Sequence, residues 1–165
     1  MIGRGTALEV EAQPGSLWAF CAETQRIEAH LAGLTALPAH TLLSPSAAPD
    51  DEILLSPPPQ CRSHNLFVEE ASNLRIGIWD STPYTRKSRP HKLHELMHLL
   101  EGSVTLQAAD GSDLTVNTGD TVFRPAECTV CLEKAASMCA RCTSSSNPVY
   151  GSTCSRWRRH SQHHH

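Results

Sequence analysis

The sequence predicts an all-β chain: one antiparallel barrel or sandwich with an irregular N-terminal arm and a C-terminal tail. Three observations carry the prediction. Between residues 65 and 123, five short runs rich in β-branched and aromatic residues follow one another. Turn signals separate them at roughly ten-residue intervals. No helical apolar period interrupts them, so successive strands have no crossover helices and must pair antiparallel.

Taken in order, residues 16–37 come first. They space Leu17, Phe20, Ile27, Leu31, Leu34 and Leu37 compatibly with a helix, with Ser16 as N-cap and Pro38 as stop. The phrase Trp18-Ala19-Phe20-Cys21 reads equally well as a strand, and both readings stay open. Residues 38–60 hold six of the eleven prolines, with Ser44, Ser46 and Ser56 among them, and read as a linker or an extended arm lying over the rest. The five runs are Leu66-Phe67-Val68, then residues 74–80, 98–106, 114–116 and 121–123. Ser72-Asn73, Ser81-Thr82-Pro83, Asp110-Gly111-Ser112 and Thr118-Gly119-Asp120 separate them. Asp110-Gly111 between two such runs marks a hairpin, because glycine accepts the positive φ of the tight turn. After Glu133 the alternation stops, and residues 134–165 are expected to be mostly irregular.

Length and charge bound the organisation. A chain of 165 residues suits one domain plus extensions. Residues 1–133 set nine Lys/Arg against all seventeen acids, a net −8, whereas residues 134–165 carry five bases and no acid. Such a switch marks a boundary, and the expected division is an arm at 1–60, a barrel at 61–133 and a basic tail at 134–165. No run approaches the about 18 apolar residues of a membrane span, and no basic start leads into an apolar stretch. The expected setting is cytoplasmic, with the seven cysteines as thiols. Arg156-Trp157-Arg158-Arg159 reads as a basic end rather than a nucleic-acid site, given the acidic main body. No phosphate-binding glycine loop or serine-nucleophile elbow is present.

The residues around Gly102 and Gly119 carry a resemblance. Reading back from Gly102, Glu95 precedes it by six intervening residues, His91 precedes Glu95 by three, and Arg89 stands two before His91. This spacing resembles the first signature of the cupin superfamily, with Arg89 where the family has its first histidine. Gly119 and Pro125 fit the second signature, in which Glu127 replaces a glycine, Val130 a histidine and Lys134 an asparagine. The match is best over residues 61–127. The phrases at 74–83 and 95–106 resemble the branch related to the ureidoglycine aminohydrolase cupin domain, in particular the C-terminal half of two-cupin proteins. Residues 1–60 are then either a remnant of a second cupin or a lead-in. The relatives' closing strand has no counterpart at Cys131-Leu132-Glu133-Lys134-Ala135-Ala136-Ser137-Met138, which implies an exposed sheet edge or a partner such as a second copy covering it.

The resemblance implies a single jelly-roll-like barrel and a pocket lined by Trp79, His91, Glu95, Met97, Phe123 and Cys128. Strand alternation lets positions 89, 91 and 95 point inward together while His94 and His98 favour the opposite face. His91 and Glu95 are therefore the candidate metal ligands, with Cys128 a weaker third, for manganese, iron, nickel or zinc. Two ligands are too few for tight binding. Cys128-x-x-Cys131 and Cys139-x-x-Cys142 are only seven residues apart, shorter than zinc ribbons use. Two functions follow as expectations: a cupin that binds a small polar molecule with a degenerate metal site, or a metal-dependent aminohydrolase-like enzyme.

Overall fold

The computed structural model describes residues 1–3, 5–15, 33–38, 40–70, 72–87, 92–126, 130–144 and 159–160, the last two segments by backbone alone except at 133–135. Among these residues nine strands make one antiparallel sheet: β1 (Ser44–Ser46), β2 (Cys61–Glu69), β3 (Leu74–Ser81), β4 (Tyr84–Lys87), β5 (His94–Ala108), β6 (Asp113–Asn117), β7 (Thr121–Arg124), β8 (Val130–Ser144) and β9 (Arg159–His160). A single 3₁₀ turn at Asp51–Ile53 lies between β1 and β2. The order is β1-β2-β3-β8-β5-β7-β9, with β4 also paired to β8 and β6 also paired to β5.

Two strands of fifteen residues, β5 and β8, run side by side through the centre. Each is flanked on its other edge by two shorter strands in series. On β8 these are β3 and β4; on β5 they are β7 and β6. The breaks between the short strands fall in line. Gly102 of β5 pairs with Ser137 of β8, β3 ends and β4 begins beside Ser137, and the turn between β6 and β7 lies beside Gly102. That turn is tied down by Thr118 N–H donating to the Gly102 carbonyl at 3.1 Å and Gly119 N–H to the Leu99 carbonyl at 2.8 Å. Along this line the sheet folds over, as strands do when they pass between packed layers through bulges.

The sequence of β5 explains the fold-over. Its inward residues are Glu95, Met97 and Leu99 before the bulge, but Val104 and Leu106 after it. The register shift between Leu99 and Glu101 moves the inward set from odd to even positions, which keeps both halves facing one interior. Gly102 sits there with φ +81°, a conformation that a side chain would oppose. The core is built from Tyr84, Met97, Leu99, Val104, Leu106, Val116, Val122 and Ala135, with Leu54, Trp79 and Leu114 packed against it.

The proline-rich segment lies along this body. β1 pairs with β2, Leu54 bridges to Arg86, and Leu55 N–H donates to the Thr85 carbonyl at 2.8 Å. The Asp110-Gly111 hairpin joins β5 to β6 as expected, with Gly111 at φ +84°. The helix-or-strand segment at 16–37 lies outside the described residues over 16–32, as do residues 145–158 and 161–165 of the expected tail. The expectation of irregular structure from residue 134 is corrected over residues 134–144, which form most of β8. Its run of Ala, Ser, Met, Cys and Thr has neither alternation nor strong β-propensity. It is a strand because β3 and β4 pair with one edge and β5 with the other.

A chain cut after Glu133 therefore loses the strand that joins the two halves of the sheet. It should fail to fold, giving a disordered far-ultraviolet circular dichroism spectrum. A cooperative melt from that truncated chain would contradict the assignment of β8.

Candidate functional site

One half of the interior holds a cavity of about 420 Å³. Ser63 pairs with Trp79 and Asn65 with Gly77 across β2 and β3, so these residues share a face, joined by Arg75 two positions along. Ser46 of β1, Leu93 and Glu95 complete the surround. Gly77 is required by close approach: a Cβ there would stand 2.1 Å from the His64 carbonyl oxygen of β2. Arg75, exposed at the rim, donates to Asn73 Oδ1 at 3.3 Å. The Trp79 ring meets Tyr84 edge-on at 6.4 Å and so connects the cavity to the core behind it.

Behind Glu95 lies a buried charged network. Glu95 and Arg124 are cross-strand partners on β5 and β7, and the Arg124 guanidinium donates through Nη2 to Glu95 Oε2 in a short contact. Through Nη1 the same guanidinium reaches Glu133 Oε2 at 3.2 Å. Glu133 also accepts from Arg86 Nη2 at 2.7 Å and from the Tyr84 hydroxyl at 2.7 Å. Arg124 is 3% exposed and Glu95 1%. Among the described residues two carboxylates and two guanidinium groups balance, which is the condition for keeping charges out of water. Burial alone would raise the Glu133 carboxyl. Arg86 and then Arg124 outweigh it and hold the group below the usual carboxylate range.

The sequence-expected site residues separate in the structure. Trp79 and Glu95 line the cavity. Met97 also faces inward but belongs to the apolar core, one turn of the pleat deeper than Glu95. Phe123 is corrected: it is 41% exposed and stacks on His94, with ring centroids 6.0 Å apart. Its neighbours Val122 and Arg124 take the inward positions, because Met97 and Glu95 pair with them. His91 and Cys128 lie outside the described residues, as does Arg89. His94 and His98 do face away from Glu95; His94 Nδ1 accepts from the Ala126 N–H at 3.1 Å, and His98 Nδ1 meets Thr121 Oγ1 at 2.9 Å. Arg124, Glu133, Tyr84 and Arg86 were not anticipated. The available signal was the alternation in Thr121-Val122-Phe123-Arg124, where inward Val122 fixes Arg124 on the same face.

For a divalent metal, the described residues do not fit. Glu95 stands where the resemblance expects a metal-binding carboxylate, but its Oε2 already accepts from the buried Arg124 guanidinium. Among the described residues no cluster of three His, Cys, Asp or Glu side chains is arranged to hold a metal ion. Nor is any helix among them long and apolar enough to cross a membrane.

Comparison with known proteins agrees with this architecture. Residues 68–144 match the EutQ-like cupin domain family. A protein of unknown function from Pseudomonas syringae pv. tomato, described as belonging to the DUF861 family, is 51% identical with a TM-score of 0.63. The match covers 70% of this chain and 49% of that one, so this chain spans about half its length. The EutQ protein of Clostridium difficile is similar at 14% identity and TM-score 0.42, over 56% of this chain and 67% of that one. A cupin-like protein of Thermotoga maritima stands at 12% and 0.44, over 64% and 80%. No curated protein matches. The all-β antiparallel fold expected from the sequence is borne out, and the cupin-type family match over residues 68–144 accords with it.

The depressed Glu133 carboxyl ties stability to acid. Its folded pKa lies below the unfolded value of about 4.3. The stabilisation is therefore complete above about pH 4.3 and is lost as pH falls through the folded value. Glu133→Gln should cost about 3–5 kcal/mol at pH 7, by leaving guanidinium charge unmatched, and should flatten the acid limb of stability against pH. Urea titrations between pH 7 and 3 measure both; an acid limb as steep as in the unsubstituted chain would refute the role of Glu133. Tyr84→Phe, a milder change costing about 1–3 kcal/mol, should move the acid midpoint upward.

Proposed function

We propose that this chain is a cupin-domain binding module that holds a small anion of carboxylate type in the cavity between β2, β3 and β5. The observation that carries the reading is the charge pattern around that cavity. Glu95 at its back is held by Arg124 within a network that balances among the described residues, while Arg75 stands at the rim with a neutral amide, Asn73, as its hydrogen-bond partner. Among the described residues the cavity thus offers one surplus positive charge. Ser63 and Asn65 supply neutral polar groups, and Trp79 supplies a flat apolar wall. A volume of about 420 Å³ lies within the range of small-molecule sites. A guanidinium forks onto a carboxylate with two parallel hydrogen bonds, which favours that anion over a spherical one.

The alternative implied by the aminohydrolase resemblance, a metal-dependent hydrolase acting on a small nitrogenous metabolite, would require Glu95 as a metal ligand beside His91. That role competes directly with Arg124 for the same carboxylate. The binding reading needs no such exchange, and the charge pattern favours it. Fold alone would not separate the two.

Calorimetric titration with a panel of small mono- and dicarboxylates, alongside their neutral amides and the corresponding amines, tests the reading. Carboxylates should bind and their amides should not. Arg75→Gln, a rim substitution, should weaken the best carboxylate at least about tenfold, or about 1.4 kcal/mol. Equal binding of amines, or a Gln variant with undiminished affinity, would sink the proposal.

A further inference from the structure

The cupin signature puts a carboxylate at position 95 in order to hold a metal cation. Among the described residues a cation at that carboxylate is covalently part of the protein. The Arg124 guanidinium bridges Glu95 on β5 and Glu133 on β8, two acids carried by opposite halves of the folded sheet. It is buried, and so are both acids. Arg86 adds a second guanidinium to Glu133. We propose that Arg124 is the resident cation of this barrel. It takes the place between Glu95 and Glu133 that a divalent metal ion would otherwise take, and it renders the interior metal-independent.

The argument is one of charge and geometry, and it does not rest on the carboxylate-binding reading above. Two buried carboxylates facing one interior need a positive group between them, or one of them must take up a proton. A divalent ion with oxygen ligands and a guanidinium with its fork of donors both meet that need. They compete, because both claim the same Oε2 atoms and the space between them. Arg124 has the further property that no chelator removes it. Its position is fixed by its place on β7, where Val122 two residues earlier is anchored in the apolar core. Removing the guanidinium while keeping both acids leaves the space and negative charge of a divalent site, and the protein then acquires a metal requirement that it naturally lacks.

The test uses the full chain and manganese(II), an oxygen-preferring ion that discriminates against the histidines near the C-terminus. Elemental analysis of the unsubstituted protein should find no stoichiometric manganese, iron, nickel or zinc, and added manganese should leave its melting temperature unchanged. Arg124→Ala should melt lower, and millimolar manganese should raise its melting temperature by several degrees, with an affinity at least tenfold above that of the unsubstituted chain. Arg124→Ala/Glu95→Gln should lose that response, and Arg124→Lys, which keeps a cation, should not show it. A stoichiometric metal in the unsubstituted protein that Glu95→Gln releases would overturn the proposal. An Arg124→Ala chain, folded or unfolded, that ignores manganese would do the same, as would a response undiminished in the double variant.

Discussion

The contact between Arg124 and Glu133 joins parts of the sheet that strand pairing alone would keep far apart. Arg124 lies against Glu95 near one end of β5, and Glu133 lies against Leu106 near the other. Laid flat at about 3.3 Å per residue, those eleven positions of β5 would span about 36 Å. The observed 3.2 Å between Arg124 Nη1 and Glu133 Oε2 is reached only because the sheet folds over at Gly102. Conversely, the folded sheet buries Glu95, Arg124 and Glu133, whose charges would be intolerable singly. Fold and charge network are therefore conditions of each other. The network is a weak source of net stability compared with an apolar core of the same shape, but removing any single member is expensive. Such a network specifies how the two halves meet more than how strongly they hold.

That division of labour runs through the interior. Beyond the fold line, Val104, Leu106, Val116, Tyr84 and Ala135 make an apolar layer, with Glu133 as the one acid among them. Before it, Glu95 and Arg124 back a cavity walled by serine, asparagine and tryptophan side chains. Met97, Leu99 and Val122 join the two regions. The same two long strands thus serve as scaffold in one half and as cavity floor in the other.

Much of this was legible in the residues. The β-rich runs, the turn signals and the Asp110-Gly111 hairpin correspond to β2, β3, β5, β6 and β7, although each strand extends beyond its most apolar residues. The spacing from Glu95 to Gly102 and from Gly119 to Pro125 points to the cupin fold on the residues alone. What stayed hidden had physical reasons. Residues 134–144 show no pattern because β8 is defined by neighbours on both edges. Phe123 attracted attention as an aromatic, yet Val122 beside it sets the face, and the ring lies outside against His94. Alternation from Val122 turns Arg124 inward, but its alignment with Glu95 is a tertiary fact. Spacing could identify the carboxylate of a metal signature, but not the cation that holds it.

The place of β8 in the sheet also governs how the chain can assemble. Among the described residues it is the last long strand in sequence, yet it lies between β3 and β4 on one side and β5 on the other. During synthesis those earlier strands emerge with open edges, and the pairing that satisfies them spans some sixty residues from β3 to β8. Contacts of such long sequence separation make slow folding, because loop closure precedes any reward. The nascent chain therefore spends its early life with unpaired strand edges exposed, a state open to aggregation. The two halves of the sheet are joined only when one stretch of alanine, serine and cysteine enters the gap between β3, β4 and β5.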